Sequence, residues 1–228
     1  MIERSSGEAA GLAAVLLAGG MARRMGGGDK ALVAFRGRPL ISHVIERMRP
    51  QVDALVINAN GDPSRFREFG LPVEADAVPG FAGPLAGILA GMRWTLAHRP
   101  GHPWLLSVPT DTPFLPAELG ERLREARDRA GAHLACAISA DRTHPVVGLW
   151  DARLADDLER AMVEDDMRKI DLWTARFRIA HASFPIEPVD PFYNINRPGD
   201  LAEAAGLARA AMASLPTESP SRAVNPKS

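Results

Sequence analysis

Short, continuously apolar runs alternate along this chain with stretches whose apolar residues recur every three or four positions. The runs AAVLLA (13–18), ALVIN (54–58), WLLSV (104–108), HLACAIS (133–139) and PVVGLW (145–150) have strand length, and the first and third read as strands buried on both faces. Between them, PLISHVIERM (39–48), GPLAGILAGMRWTLAHR (83–99) and PAELGERLREARDRA (116–130) have helical spacing, with Pro or Gly near their ends. DDLERAM (156–162) and DDMRKIDLWTAR (165–176) each open on acids and gather bases further on, which matches the helix dipole, and FRIAHASF (177–184) reads as a last strand. This alternation predicts an α/β fold, a three-layer α/β/α sandwich around a mostly parallel sheet. No repeat and no midway linker interrupts it, so one domain is expected over 12–213. It is flanked by a flexible N-terminus (1–11) and a polar, proline-rich tail (214–228), expected to be disordered.

Composition narrows the function classes. With 228 residues, 46% hydrophobic and 24% charged, the chain has ample material for a buried core. The 27 basic and 28 acidic residues give a net charge of -1, so there is no overall positive field to hold nucleic acid or an anionic membrane. A lone cysteine, Cys136, rules out an internal disulfide and a cysteine-only metal site, and its apolar run marks it as core. No apolar stretch reaches the ~18 residues of a membrane span, and the start MIERSSGEAAG does not read as a secretory signal, so a cytoplasmic protein is expected.

The densest chemistry lies in LLAGGMARRMGGGDKAL (16–32), directly after the first strand. In an open α/β sheet, ligands bind beyond the carboxyl ends of the strands, which is where this loop falls. Gly19 and Gly20 allow backbone N–H groups to approach an anion closely, while Arg23, Arg24 and Lys30 supply charge for several phosphates. A nucleoside triphosphate suits such a loop. The P-loop pattern is absent, because Lys30 is followed by Ala31 rather than Ser or Thr. Gly26 to Ala31 fits G-x-G-x-x-A but follows arginines instead of a strand, which weakens a dinucleotide reading.

LAGGMARRMGGGDKAL resembles the opening of the molybdenum cofactor guanylyltransferases, the MobA family, within the Rossmann-like nucleotidyltransferases. The likeness continues through VINAN (56–60), EAD (74–76), GPLAGI (83–88), PTDTPFLP (109–116), THPVVGLW (143–150) and YNINRPGDL (193–201), in the family's order. It implies a Rossmann-like sheet of the nucleotidyltransferase type and transfer of GMP from GTP to molybdenum-molybdopterin. Mg²⁺ is the implied cofactor. It also implies transient contacts with other cofactor-biosynthesis proteins and with molybdoenzyme chaperones, and a monomer is expected. Rival readings are a relative acting with CTP or on a sugar phosphate, and a non-catalytic nucleotide sensor.

The resemblance places Leu17, Ala18 and Gly19 along the base and ribose, and gives Gly20, Arg24 and Lys30 the triphosphate. Asn58 ends the second strand, where its amide offers donors and an acceptor to a base edge or merely closes a turn. Asp76 looks like a second nucleotide-contacting acid. Asp111 ends the third strand in PTDTPFLP and is assigned the Mg²⁺, with a helix N-cap as its alternative. Either Asn194 or Asn196 adds an oxygen ligand. Gly83 and Gly87 open a helix against which a flat ligand can lie. His144, Arg168 and Lys169 complete the candidates for the acceptor, each with a structural alternative.

Overall fold

The computed structural model of the chain describes residues 11–19, 28–78, 80 and 83–213. The expected tail and, apart from Gly11, the expected flexible N-terminus lie outside them, as do Gly20, Arg23 and Arg24. In chain order the strands are β1 (Leu12–Leu17), β2 (Ala34–Phe35), β3 (Arg38–Pro39), β4 (Ala54–Asn58), β5 (Val73–Glu74), β6 (Trp104–Pro109), β7 (Leu134–Ser139), β8 (Arg142–Asp151) and β9 (Ile179–Ser183). The helices are α1 (Leu40–Met48), α2 (Pro84–His98), α3 (Leu119–Ala130), α4 (Ala155–Val163), α5 (Ile170–Thr174) and α6 (Pro198–Ala213).

Seven strands form the central sheet in the order β5-β4-β1-β6-β8-β7-β9, and β2 and β3 pair separately. The sheet is mostly parallel, as the pattern predicted, with β8 antiparallel to both β6 and β7. The exception has a local cause. Only Ala140 and Asp141 connect β7 to β8, both at positive φ (46° and 59°), and two residues can close a hairpin but cannot make a crossover.

Alternation along β1 divides the interior into two cores. Leu12, Ala14 and Leu16 meet α1 and α3, whereas Ala13 and Val15 meet α2 and, further along that layer, α4 and α5. A smaller cluster joins Phe35, Leu40 and Ile195 to Ala204 of α6. Among the described residues no helix is long and apolar enough to cross a membrane.

Two helix boundaries and one whole helix depart from the sequence pattern. α3 begins at Leu119 rather than 116, after a turn closed by the Leu119 N–H on the Pro116 carbonyl. Of DDMRKIDLWTAR only Ile170–Thr174 is helical, because Asp166 adopts a left-handed φ of 50° that a helix cannot continue. α6 has no forecast counterpart. Its Ala-rich stretch lacks a strong apolar stripe, and the Asp200 carboxylate anchors its start by accepting from the Asn196 and Arg197 N–H groups at 2.7 and 2.9 Å.

α2 lies unusually close to β1. A Cβ on Gly91 would stand 2.7 Å from the Val15 Cβ, and one on Gly87 would collide with Asn58 Oδ1 and stand 2.6 Å from Leu17 Cδ2. Gly91→Ala is therefore expected to destabilise the fold by about 1–3 kcal/mol in urea unfolding, through overpacking against a fixed strand. Gly206→Ala in α6, whose Cβ would meet, among the described residues, only Arg209 at 4.0 Å, should instead add about 0.5–1 kcal/mol from helix propensity. A change of the same sign at both positions would contradict the close approach as the cause.

Candidate active site

The carboxyl ends of three strands stand in one row, because Leu17 of β1 pairs with Asn58 of β4 on one side and Pro109 of β6 on the other. Beyond that row opens a cavity of about 470 Å³. Leu17, Asn58 and Pro109 border it together with Gly19, Asp76 and Gly83, and Asp111 stands at its edge. The opposite wall comes from the first half of β8, including Arg142 and His144, and from Phe192 and Asn194. This is the position that an open α/β sheet offers a ligand.

Lys30 begins a short 3-10 turn (Lys30–Leu32), and its ammonium lies between two partners, donating to Asp111 Oδ2 and to Asn196 Oδ1. The Ile195 N–H bonds the Asp111 carbonyl at 3.0 Å, so the YNIN segment is held to the Asp111 loop through backbone as well. Asp111 caps no helix, since α3 starts eight residues later at Leu119. Its Oδ1 is buried and has no hydrogen-bond partner among the described residues. A carboxylate oxygen left in that condition is a hard donor suited to a divalent cation, so the residues present fit Mg²⁺. The two asparagines separate in role: Asn196 shares Lys30 with Asp111, while Asn194 faces the cavity.

At the other end of the row, Asn58 is buried and both of its amide protons are engaged, by the Glu74 carbonyl at 3.2 Å and Asp76 Oδ1 at 3.0 Å. Its oxygen packs against Gly87. The side chain expected to read a base therefore orients Asp76. Asn60, which the sequence pattern does not mark as a site residue, holds the same acid from the other side. Its Nδ2 donates to Asp76 Oδ2 at 2.6 Å and its Oδ1 accepts from the Asp76 N–H at 2.9 Å. The missed signal was the two-residue spacing in NAN, which puts Asn58 and Asn60 on one side of an extended segment.

Backbone roles sort similarly. The Ala18 N–H donates to the Asn58 carbonyl at 2.9 Å, and the Leu17 carbonyl accepts from the Thr110 N–H at 3.4 Å, so both are committed to the sheet. Gly19 is different: among the described residues no atom outside its chain neighbours lies within 4 Å of where its Cβ would be, and Gly19 borders the cavity. Gly83 borders the cavity at φ 134°, a conformation that L side chains avoid, directly before Pro84 starts α2. Gly87 requires correction, since it serves the packing of α2 on Leu17 and Asn58 rather than a flat ligand.

On the far wall, Ser139 Oγ donates to Asp190 Oδ1 at 2.9 Å, so at its 2.8 Å contact with His144 Nε2 the ring nitrogen is the donor. Burial pushes the His144 pKa below the ordinary histidine value; nearby Arg142 adds to this, while Asp190 opposes it. The imidazole is thus neutral near pH 7, carries its proton on Nε2, and stands 4.5 Å from the Phe192 ring. Arg168 and Lys169 are not brought to the cavity: Arg168 pairs with Asp166 at 2.7 Å, and Lys169 is exposed at the start of α5.

Comparison with known proteins agrees with this geometry. The model of the MobA-like NTP transferase domain matches residues 14–177. A molybdenum cofactor guanylyltransferase of Rhodopseudomonas palustris is 56% identical over 195 residues, covering 86% of this chain and 93% of the relative. One from Nitrobacter hamburgensis is 55% identical, covering 85% and 93%. Among solved structures, the molybdopterin-guanine dinucleotide biosynthesis protein A of Archaeoglobus fulgidus superposes with a TM-score of 0.67 at 27% identity, covering 87% of this chain and 98% of that one. The strand-end row, the lysine on the aspartate and the extent of these matches lead to one conclusion: the chain belongs to the MobA-like NTP transferase family, among the molybdenum cofactor guanylyltransferases.

Proposed function

We propose that this chain transfers GMP from GTP to the terminal phosphate of molybdenum-molybdopterin, releasing pyrophosphate and forming the guanine dinucleotide form of the cofactor. The observation that carries this reading is the Lys30 ammonium gripped by Asp111 and Asn196 at the edge of the cavity, beside an Asp111 oxygen with no partner. A sensor that only bound nucleotide would not require both groups.

The acceptor phosphate attacks the α-phosphorus in line and pyrophosphate leaves from the opposite side, with no covalent enzyme intermediate. An ionised phosphate is already a nucleophile, so no strong general base is required, and His144 is accordingly engaged with Ser139 rather than poised to take a proton. Lys30 serves as a point charge on the phosphate oxygens where negative charge builds up, help of the kind often worth about 3 kcal/mol. Asp111 Oδ1, with Asn196 nearby, would hold Mg²⁺, which would supply further neutralisation of charge on the triphosphate and pyrophosphate. The remaining work is positioning. Gly19, Asp76 and Gly83 take the nucleotide, while His144, Asn194 and Phe192 face the acceptor across the cavity. The buried Cys136 thiol, its pKa pushed up to about 11 by burial, is inert core, in keeping with a cytoplasmic enzyme.

Two outcomes test this. Asp111→Asn keeps an oxygen for Lys30 but removes the charge that holds the cation, so Mg²⁺-dependent pyrophosphate release should fall by roughly 10²-fold or more while the protein stays folded, with a melting temperature lowered by the Lys30 charge left without its partner. Metal-free GTP affinity should hold or rise, because Lys30 is released from its ion pair. Wild-type turnover in this variant would overturn the cation site. In competition between triphosphates, GTP should be preferred over ATP and CTP by very roughly 10²- to 10⁴-fold. The acceptor-only carboxylate of Asp76 suits the N–H donors of guanine, and each mismatch costs about 1–3 kcal/mol. Equal use of CTP would make the enzyme a cytidylyltransferase of the same fold.

A further inference from the structure

We infer that Arg65, a residue outside the cavity wall, is a positioning residue that clamps the segment carrying Lys30 to the segment carrying Asn60 and Asp76, so that the phosphate end and the base end of the site are set as one unit. The inference rests on the guanylyltransferase reading and deepens it. Arg65 Nε lies 2.8 Å from Asp29 Oδ2 as an ion pair whose angle is not that of a hydrogen bond, and Arg65 Nη2 donates to the Asn60 carbonyl. One planar guanidinium thus touches both segments.

Three further observations give this contact a purpose. Asp29 immediately precedes the 3-10 turn that begins with Lys30, in the N-cap position, yet its side chain caps nothing there. Its carboxylate is given to Arg65 instead. Arg65 itself is rigidly mounted, in a 3-10 helix (Pro63–Phe69) whose N-cap, Asp62, accepts from the Ser64 N–H at 2.9 Å and which Phe66, fully buried, fixes in the core. Asn60, whose carbonyl Arg65 binds, exchanges two hydrogen bonds with Asp76, and Asp76 in turn accepts from Asn58. A continuous chain of polar contacts therefore runs from Asp29, beside Lys30, through Arg65 and Asn60 to Asp76. Lys30 also holds Asp111 and Asn196, so displacement of residues 29–30 would be felt where charge builds up.

Such a clamp acts through other residues, and its removal should lower kcat more than it raises KM. Arg65→Ala and Asp29→Asn are each expected to reduce kcat about tenfold with GTP, to change KM less than about threefold, and to narrow the GTP-over-CTP preference. The double variant should be no slower than either single one, because both break the same contact. Arg65→Lys, which keeps the charge but lacks the fork, should recover only part of the loss. Asp29→Asn is isosteric and keeps the test valid where alanine at 65 costs stability. Amide hydrogen exchange in the substrate-free protein reads the clamp independently of substrate: the Leu32 and Val33 N–H groups, bonded to the Asp29 and Lys30 carbonyls, should exchange about tenfold faster in both single variants. Wild-type kcat in Arg65→Ala, losses that multiply in the double variant, or unchanged exchange at these amides would each overturn the clamp. Failure of the wild type to use GTP would instead overturn the guanylyltransferase reading, while the exchange measurement still decided the clamp.

Discussion

Lys30 meets Asp111 and Asn196 across separations of 81 and 166 residues, and the rest of the site depends on that meeting. The lysine and aspartate side chains retain only 14% and 18% of their exposure, so neither charge is well solvated and each needs the other. Placed there, the pair draws the opening loop, the end of β6 and the segment before α6 to one point. It also brings a cation and an anion with a spare oxygen to the edge of a cavity, an arrangement able to receive a triphosphate and a metal together. The Ile195 to Asp111 backbone bond and the Phe35–Leu40–Ile195–Ala204 cluster hold the same junction from outside.

A second constraint comes from packing. Gly87 and Gly91 let α2 lie directly on β1, and the approach is close enough that the Asn58 oxygen rests on the helix backbone. With its oxygen covered and both amide protons engaged, Asn58 is locked and Asp76 is locked by it. The Asn58–Asp76 end of the cavity is consequently preorganised by a helix packed against the sheet. Preorganisation of that kind lets binding energy go into discrimination rather than into ordering loops.

The far wall rests on one reversal of chain direction. Because Ala140 and Asp141 turn β7 straight into β8, the start of β8 folds back across the carboxyl edge of the sheet and carries Arg142 and His144 to the cavity. The Asp190–Ser139–His144 contacts then fix the imidazole in one tautomer against Phe192.

Much of this was legible in the sequence, for physical reasons that are local. Strand and helix periodicity located β1, β4, β6 and α2, since each needs only its own apolar faces to declare itself. The glycines and cations after β1, and the acid at the end of β6, pointed to the phosphate and metal chemistry proposed above, because those chemistries demand those residue types wherever they sit. Only the tertiary structure decided how the side chains were shared. It gave the Asn58 amide to Asp76, gave Gly87 to helix packing, left Arg168 and Lys169 away from the cavity, and chose Asn196 over Asn194 as the neighbour of Lys30. It also introduced Asn60 and Arg65. Each of these outcomes depends on which distant segment arrives within about 3 Å of a given polar atom, a matter of strand register and helix approach that no local pattern of residues encodes.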